Sequence, residues 1–304
     1  MRAPALLTSL CLLVVACAPA GDQAVEVTAD PSTAVAASAA GVPAGDVLQA
    51  VEVDRRPHDP EAFTQGLEFH EGRLFESRGL YEQSAMTEID PATGEVLART
   101  DLDDAFFGEG ATVVGDRIIQ LTWREGTAFT YDVDTLEPTG ELAYEGEGWG
   151  ICDLPDRLVM SDGTDTLDLR DPDTFEVVDS VVVDLAGQPN DDLNELECVD
   201  GLVWANLWNT NTILVIDPDT GDVVSEVDVS ALADDAGRFV EEPRQGAVLN
   251  GIAHDPETGT WLLTGKEWPV MVEVTFTCVE GCEGPTVTPT HYVRPRGPAV
   301  SSRS

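Results

Sequence analysis

Basic residues, and lysine above all, are what this sequence most lacks. Sixteen Lys and Arg stand against 57 Asp and Glu, giving a formal net charge of −41, and Lys266 is the single lysine. Such an excess of negative charge repels phosphate backbones and anionic bilayers, so it disfavours nucleic acid and membrane surfaces as partners. It reads as a carboxylate-rich surface suited to salty surroundings. One lysine in a chain that otherwise uses arginine points to a task needing a compact ammonium with a movable pKa, which a guanidinium cannot supply.

Long apolar runs are missing too, and none would span a bilayer as a helix. Residues 6–15, between Arg2 and Cys17, form instead the apolar part of a targeting segment. Val14-Val15-Ala16-Cys17 fits a bacterial lipobox, with Cys17 as the lipidated first residue of the mature protein. The alternative is an ordinary secretory signal cleaved near Ala18-Pro19-Ala20. Both routes export the protein to the periplasm or the extracellular space, and the lipid anchor would be its only tie to the outer leaflet. The expected organisation is a signal peptide over 1–17, a disordered tether over 18–45, a folded domain over 46–283 and a tail over 284–304. The tether holds no aromatic residue and cannot bury enough surface to offset the entropy of ordering. A monomer is expected.

Cysteine and histidine are scarce, with six and four residues. Cys11 and Cys17 belong to the targeting segment, leaving Cys152, Cys198, Cys278 and Cys282, for which three pairings exist. Cys278 and Cys282 are close enough to close a small loop, which leaves Cys152 with Cys198. A zinc site is the competing reading, but His58, His70, His254 and His291 do not cluster near these cysteines. Disulfides suit an exported protein better.

No helical period of useful length occurs. The chain repeats instead, through five related phrases: Phe63-Thr64-Gln65-Gly66-Leu67, Phe107-Gly108-Glu109-Gly110, Glu147-Gly148-Trp149-Gly150, Leu193-Asn194-Glu195-Leu196-Glu197 and Leu249-Asn250-Gly251-Ile252-Ala253. Phe63, Phe107, Trp149, Asn194 and Asn250 mark starts separated by 44, 42, 45 and 56 residues. Behind each phrase comes a strand ending in small or polar residues. In four repeats a second strand then leads into a turn of the type Asp217-Pro218-Asp219-Thr220-Gly221. Four strands per unit of this length predicts an all-β, five-bladed β-propeller, with residues 47–53 supplying the last outer strand and closing the ring. Residues 230–245 read as an acidic insertion on the rim. A β-sandwich gives no reason for self-similarity at this period.

Matching positions of inner strands face one small space. Gln65, Glu109, Trp149, Glu195 and Gly251 fall at one level, with Asn194 and Asn250 one residue earlier. The ends of the second strands add Trp123, Asp162, Trp208, Lys266 and Trp268. Trp204 and Trp261 alternate within apolar strands and belong to the core, and Asp162 reads as turn chemistry. The remaining tryptophans stand beside glycine, polar or charged residues, as pocket linings do. The glycines beside Glu109 would let its strand pass close to the axis and leave room for a substrate. The set contains no histidine, cysteine or base-paired serine, which argues against Ser-His-Asp chemistry and a histidine-bound catalytic metal.

These phrases, together with Leu121-Thr122-Trp123, Met160-Ser161-Asp162-Gly163, Asn206-Leu207-Trp208 and Thr264-Gly265-Lys266-Glu267-Trp268-Pro269, resemble the signature of the plant and bacterial type of glutaminyl-peptide cyclotransferase. The resemblance runs from about residue 58 to 274. It implies a five-bladed propeller that converts an N-terminal glutaminyl residue of a peptide or protein to pyroglutamate and releases ammonia. The residues it implicates are Phe63, Gln65, Glu109, Trp123, Trp149, Asn194, Trp208 and Lys266. Cys152 and Cys198 depart from it, and the tail after Cys278 lies outside it. The expected catalytic residues are Glu109 as proton shuttle, with Lys266 and Asn194. Phe63, Gln65, Trp123, Trp149, Trp208, Glu195, Asn250 and Trp268 are expected to bind substrate. Apolar walls would raise the pKa of Glu109 and a nearby Lys266 would lower it, a balance open at this level. No cofactor is expected, although carboxylates along the channel leave room for a structural metal ion. A ligand-binding propeller without catalysis and a metal-dependent hydrolase or lactonase are the alternatives.

Overall fold

A computed structural model describes residues 46–237 and 248–280. Within them the protein is mostly β-strand. Consecutive strands form groups of four, each pairing antiparallel with the next. The first group is Thr64–His70, Arg73–Arg78, Ala85–Ile89 and Val96–Asp101, and the second is Gly108–Val114, Arg117–Thr122, Thr127–Asp132 and Pro138–Ala143. Ile151–Asp153, Leu158–Ser161, Thr166–Arg170 and Val177–Val182 make the third, and Leu193–Val199, Leu202–Leu207, Thr212–Ile216 and Val223–Asp228 the fourth. In the last group Leu249–Asp255, Thr260–Gly265 and Val270–Glu280 take Asp46–Pro57 as their outer strand, as expected for residues 47–53. Asp46–Pro57 also runs parallel to Val223–Asp228 over its first residues, which joins the last two groups into one eight-stranded sheet.

Burial grades across each group. Gly108–Val114 is buried throughout, whereas Pro138–Ala143, three strands further out, is largely exposed. First strands lie against one another in succession, and Leu249–Asp255 touches both Leu193–Val199 and Thr64–His70. Each hydrophobic cluster draws its side chains from two neighbouring groups. The core is thus a set of seams between sheets.

The turns between third and fourth strands follow their sequences. Asp90 Oδ1 accepts the amides of Ala92 and Thr93, both at 2.9 Å, and Asp171 Oδ1 does the same for Asp173 and Thr174 at 2.9 and 2.8 Å. Gly94 and Gly221 then take φ of 70° and 81°. In the second and third groups Leu136 and Phe175 occupy that position, with φ of 56° and 63°. A left-handed side chain costs roughly 1–2 kcal/mol. Burying a Leu or Phe side chain returns about 1.5–3 kcal/mol, and both are fully packed.

Two expectations need correction. The glycines beside Glu109 leave no room for a substrate: a Cβ on Gly110 would meet Gly150 Cα and Trp149 O at 2.7 Å, and one on Gly108 would meet Arg78 O at 2.8 Å. That space is filled by neighbouring backbone. No helix was expected, yet Ser230–Gly237, in the segment read as a rim insertion, is one, with Ala233 and Ala236 packed with Val229 and Trp261, while residues 238–247 lie outside the described residues. Eight residues are too few to show a period, and so short a helix depends on packing.

Cys152 and Cys198 form a disulfide, with Cα atoms 5.4 Å apart, that links the first strands of the third and fourth groups. Cys282, the expected lipidation site Cys17 and the segments read as a tether and a C-terminal tail lie outside the described residues. Among the described residues no helix is long and apolar enough to cross a membrane.

Candidate active site

Four of the five phrases sit where strand pairing slips. Register shifts separate Thr64 from Gly66, Gly108 from Ala111, Leu193 from Leu196 and Leu249 from Ile252. Each slip takes Gln65, Glu109, Asn194 with Glu195, or Asn250 with Gly251 out of the ladder. Bulges of this kind re-aim side chains. The repeat therefore places several polar groups on one interior region.

Glu109 is held from behind by its own backbone. Its carbonyl accepts from Ser77 Oγ, which also takes Gln120 Nε2 at 2.7 Å, and Tyr131 OH donates to Gln120 Oε1 at 2.7 Å. The adjacent Gly110 amide donates to Trp149 O at 2.8 Å. The side chain is 5% exposed. No described residue hydrogen-bonds its carboxyl group, and burial pushes its pKa well above the ordinary carboxyl range. Lys266 pulls it back, while Glu147 and Glu125 add to the rise. Burial outweighs the ammonium, which resolves the balance left open by the sequence.

Lys266 is 4% exposed. Its amide donates to Val248 O at 2.9 Å, that of Glu267 to Ala62 O at 2.7 Å, and its Nζ lies 5.1 Å from the centre of the Phe63 ring. Burial brings its pKa down to about 8, against the opposing pull of Glu109. The loop carrying Lys266 is clamped from below. His58 Nδ1 meets Trp268 O at 2.7 Å and Nε2 meets Glu76 Oε1 at 2.8 Å. Two acceptors require both nitrogens to donate, so this ring is an imidazolium. Glu76 also takes Thr64 Oγ1 at 2.7 Å and Arg78 Nε at 2.8 Å. Although burial would raise its pKa, His58 and Arg78 hold it down at about 2.

Aromatic rings wall the region. Phe107 meets Phe63 and Tyr81 edge-on at 6.2 and 5.3 Å and the tilted ring of Trp123 at 5.6 Å. Trp149 and Trp208 meet edge-on at 5.6 Å. One oxygen of Glu147 accepts both indole N–H groups, from Trp123 at 2.8 Å and Trp149 at 3.1 Å. Its other oxygen takes Arg124 Nε at 2.8 Å, and that guanidinium lies 3.6 Å over the Trp123 ring. These bonds keep the Glu147 pKa below its usual value, against the upward push of partial burial.

The structure brings Phe63, Gln65, Glu109, Trp123, Trp149, Trp208 and Lys266 into this network of contacts and charges; Asn194 is buried, and its backbone carbonyl accepts from Ser161 Oγ at 2.7 Å. It puts three expected residues to other uses. Glu195 gives its oxygens to the amides of Leu67 at 3.2 Å and Ile252 at 2.9 Å, so it stitches first strands together. Asn250 is fully buried and donates to Thr64 O at 3.0 Å and Gln65 Oε1 at 3.3 Å. Trp268 packs into the cluster of Leu249, Ile252 and Trp261 and stands behind the site. Asp162 accepts from Thr164 N at 3.0 Å, as a turn residue should, and Trp204 and Trp261 pack together at 4.3 Å. Phe107, Tyr81, Arg124, Glu147 and the His58–Glu76 pair are additions that sequence reasoning missed. A carboxylate two residues before a pocket tryptophan was the available signal for Glu147.

A buried acid with a raised pKa, an ammonium with a lowered one, primary amides and indole walls define a water-poor acid–base site fitted to amide chemistry. A family model described as glutamine cyclotransferase matches residues 25–276. The glutaminyl-peptide cyclotransferase of Arabidopsis thaliana is 39% identical over 220 residues, covering 72% of this chain and 68% of that protein. The crystal structure of Myxococcus xanthus glutaminyl cyclase matches with a TM-score of 0.73 and 39% identity, over 78% of this chain and 100% of its own. The chain belongs to the glutamine cyclotransferase family.

Proposed function

We propose that this protein is a glutaminyl-peptide cyclotransferase, acting on peptides and proteins that begin with glutamine. The observation that carries the reading is Glu109, a buried carboxyl group without a hydrogen-bond partner among the described residues and coupled to the single lysine. The substrate's α-amine attacks its own γ-carboxamide carbon, a C–N bond closes the five-membered ring, and the original C–N bond breaks. The amine gives up one proton and the departing nitrogen gains one, so ammonia leaves. Glu109 carries that proton, taking one from the amine and giving one to the departing nitrogen. Burial raises its pKa above the ordinary carboxyl range, which favours the protonated form, and an α-amine of pKa ~7.7–8.0 is partly neutral near neutrality.

Ring closure is intramolecular, so holding one rotamer does much of the work. Trp123, Trp149 and Trp208, with Phe63 and Phe107, would confine the side chain. Lys266, Gln65 and Asn194 would face the oxyanion, where each preorganised donor is worth roughly 10²–10³ in rate. No step calls on a cofactor. A metal-dependent hydrolase would need converging ligands, and among the described residues no three His, Cys, Asp or Glu side chains gather for that purpose. The same reading includes a five-bladed propeller closed by Asp46–Pro57, supported by the succession of first strands and by the seams between groups. It also includes export with a lipid on Cys17, which mass spectrometry of the mature N-terminus would test. Incubating the protein with a Gln-initiated peptide and following its mass tests the activity. Loss of one ammonia is expected, and an unchanged peptide would overturn the proposal.

A further inference from the structure

Asn250 has no exposed surface, and its side chain reaches two acceptors, Thr64 O and Gln65 Oε1. The orientation of its amide is fixed by what it touches. Thr64 O, at 3.0 Å, is a backbone carbonyl and can only accept, so the Asn250 atom beside it must be the NH2 group. The same nitrogen lies 3.3 Å from the Gln65 amide, which must therefore present its oxygen. A planar amide with its oxygen turned to Asn250 turns its NH2 the other way.

Nothing among the described residues accepts from Gln65 Nε2. Asn194 Oδ1, Asn206 Nδ2 and Asn250 Oδ1 are unpaired and fully shut off, and Gln65 Nε2 does not share that condition. Its stem belongs to the aromatic pocket, because a Cβ on Gly79 would meet Gln65 Cγ at 2.9 Å and the Phe107 ring at 2.6 Å. The support behind Asn250 is rigid. The Gly251 amide donates to Asn206 Oδ1 at 2.9 Å, and Gly251 holds φ of 117° with a Thr264 methyl 2.9 Å from where a Cβ would stand.

We propose that Asn250 is a positioning residue, which locks the Gln65 amide so that its NH2 group donates to the γ-carboxamide oxygen of the bound glutaminyl substrate. The inference rests on the cyclotransferase reading. Asn250 touches Gln65 and need not touch substrate. It acts when that oxygen gains charge in the transition state, so its loss should appear in kcat more than in KM.

A double-mutant cycle on the full chain tests this, with a Gln-initiated peptide as the probe. Asn250→Asp removes the donor, and its carboxylate would accept from Gln65 and draw the NH2 group out of the pocket. Gln65→Ala removes the donor outright. Each single variant should lose roughly 10²–10³ in kcat, the range for one oxyanion donor. The double variant should be no slower than Gln65→Ala, because the same contact cannot be lost twice. Gln65→Glu keeps an acceptor for Asn250 but, once ionised, offers no donor, so it should be slow; a carboxyl group buried there lowers the melting temperature, and circular dichroism at the assay temperature shows that the variant is folded. Losses that multiply, or wild-type kcat in Gln65→Glu, would overturn the positioning role while wild-type turnover upholds the cyclotransferase. Absence of turnover in the wild type would overturn both.

Discussion

Exchanging Lys266 asks whether the reaction needs an ammonium at that point. Burial leaves it with a pKa of about 8, and Glu109 is the charged neighbour that opposes the fall. One pH unit above that value, roughly one molecule in ten keeps the proton, so the contribution of the cation to the rate should fall about tenfold per unit. Over the same range the neutral fraction of the substrate amine rises toward its limit, with a pKa of ~7.7–8.0. The kcat/KM profile should therefore climb to about 8 and then decline. Lys266→Arg retains the charge at every accessible pH, so its alkaline decline should move upward, although a bulkier planar group in a buried slot lowers the plateau. Lys266→Met removes the charge and should cost roughly 10²–10³ in kcat/KM across the profile, the loss expected for one oxyanion donor. The assay is ammonia release from a Gln-initiated peptide between pH 6 and 10, corrected for the separately titrated amine (about two units either side of the pKa). A Lys266→Met protein with wild-type kcat/KM would refute the role of the cation. An alkaline limb that stays in place in Lys266→Arg would assign that titration to another group.

Other expectations concern stability and the pocket walls. The Glu109 pKa is raised on folding by burial, so its stabilising protonated form is complete below the ordinary carboxyl range and is lost as pH rises to the raised value. Glu109→Gln should therefore melt at a higher temperature than the wild type near neutrality, with a gap that shrinks on acidification, which thermal melts across pH would reveal. Glu147→Gln leaves one carbonyl oxygen for two indoles and releases Arg124. Tryptophan near-UV circular dichroism and fluorescence should change, and kcat should fall while the melting temperature holds. With a formal charge of −41, self-repulsion should weaken as salt shortens the screening length from about 10 Å at 0.1 M to 3 Å at 1 M. Thermal melts should move upward over that range, and melts insensitive to salt would remove the halotolerance reading.

The repeat was legible because each group carries its own punctuation. Asp and Thr recur at the third turn of four groups, with Pro in three and Gly in two, and a short phrase recurs at the first strand of all five. The single lysine and the glycine-flanked Glu109 stood out for chemical reasons that burial and charge then supported. Less legible were features made by contact between groups. Glu147 joins Trp123 and Trp149 across the seam between the second and third groups, which spacing alone does not show. Glu195 falls at the level of Glu109 and Asn250 one residue before it, yet the strand slips at Leu193/Leu196 and Leu249/Ile252 direct them to backbone amides and to Gln65. Trp268 follows the loop of Lys266, but its ring turns into apolar packing. Neighbouring residues on an irregular strand part company in ways that only the fold decides.

The central claim is that one buried acid moves the proton from the attacking amine to the departing ammonia. It is tested most directly by Glu109→Gln, which keeps the size of the side chain and removes the titrating oxygen. Turnover of a Gln-initiated peptide, followed by mass spectrometry and ammonia release, should fall by roughly 10²–10⁴ in kcat, with the circular dichroism of the wild type retained. Wild-type kcat in a correctly folded Glu109→Gln protein would contradict the account.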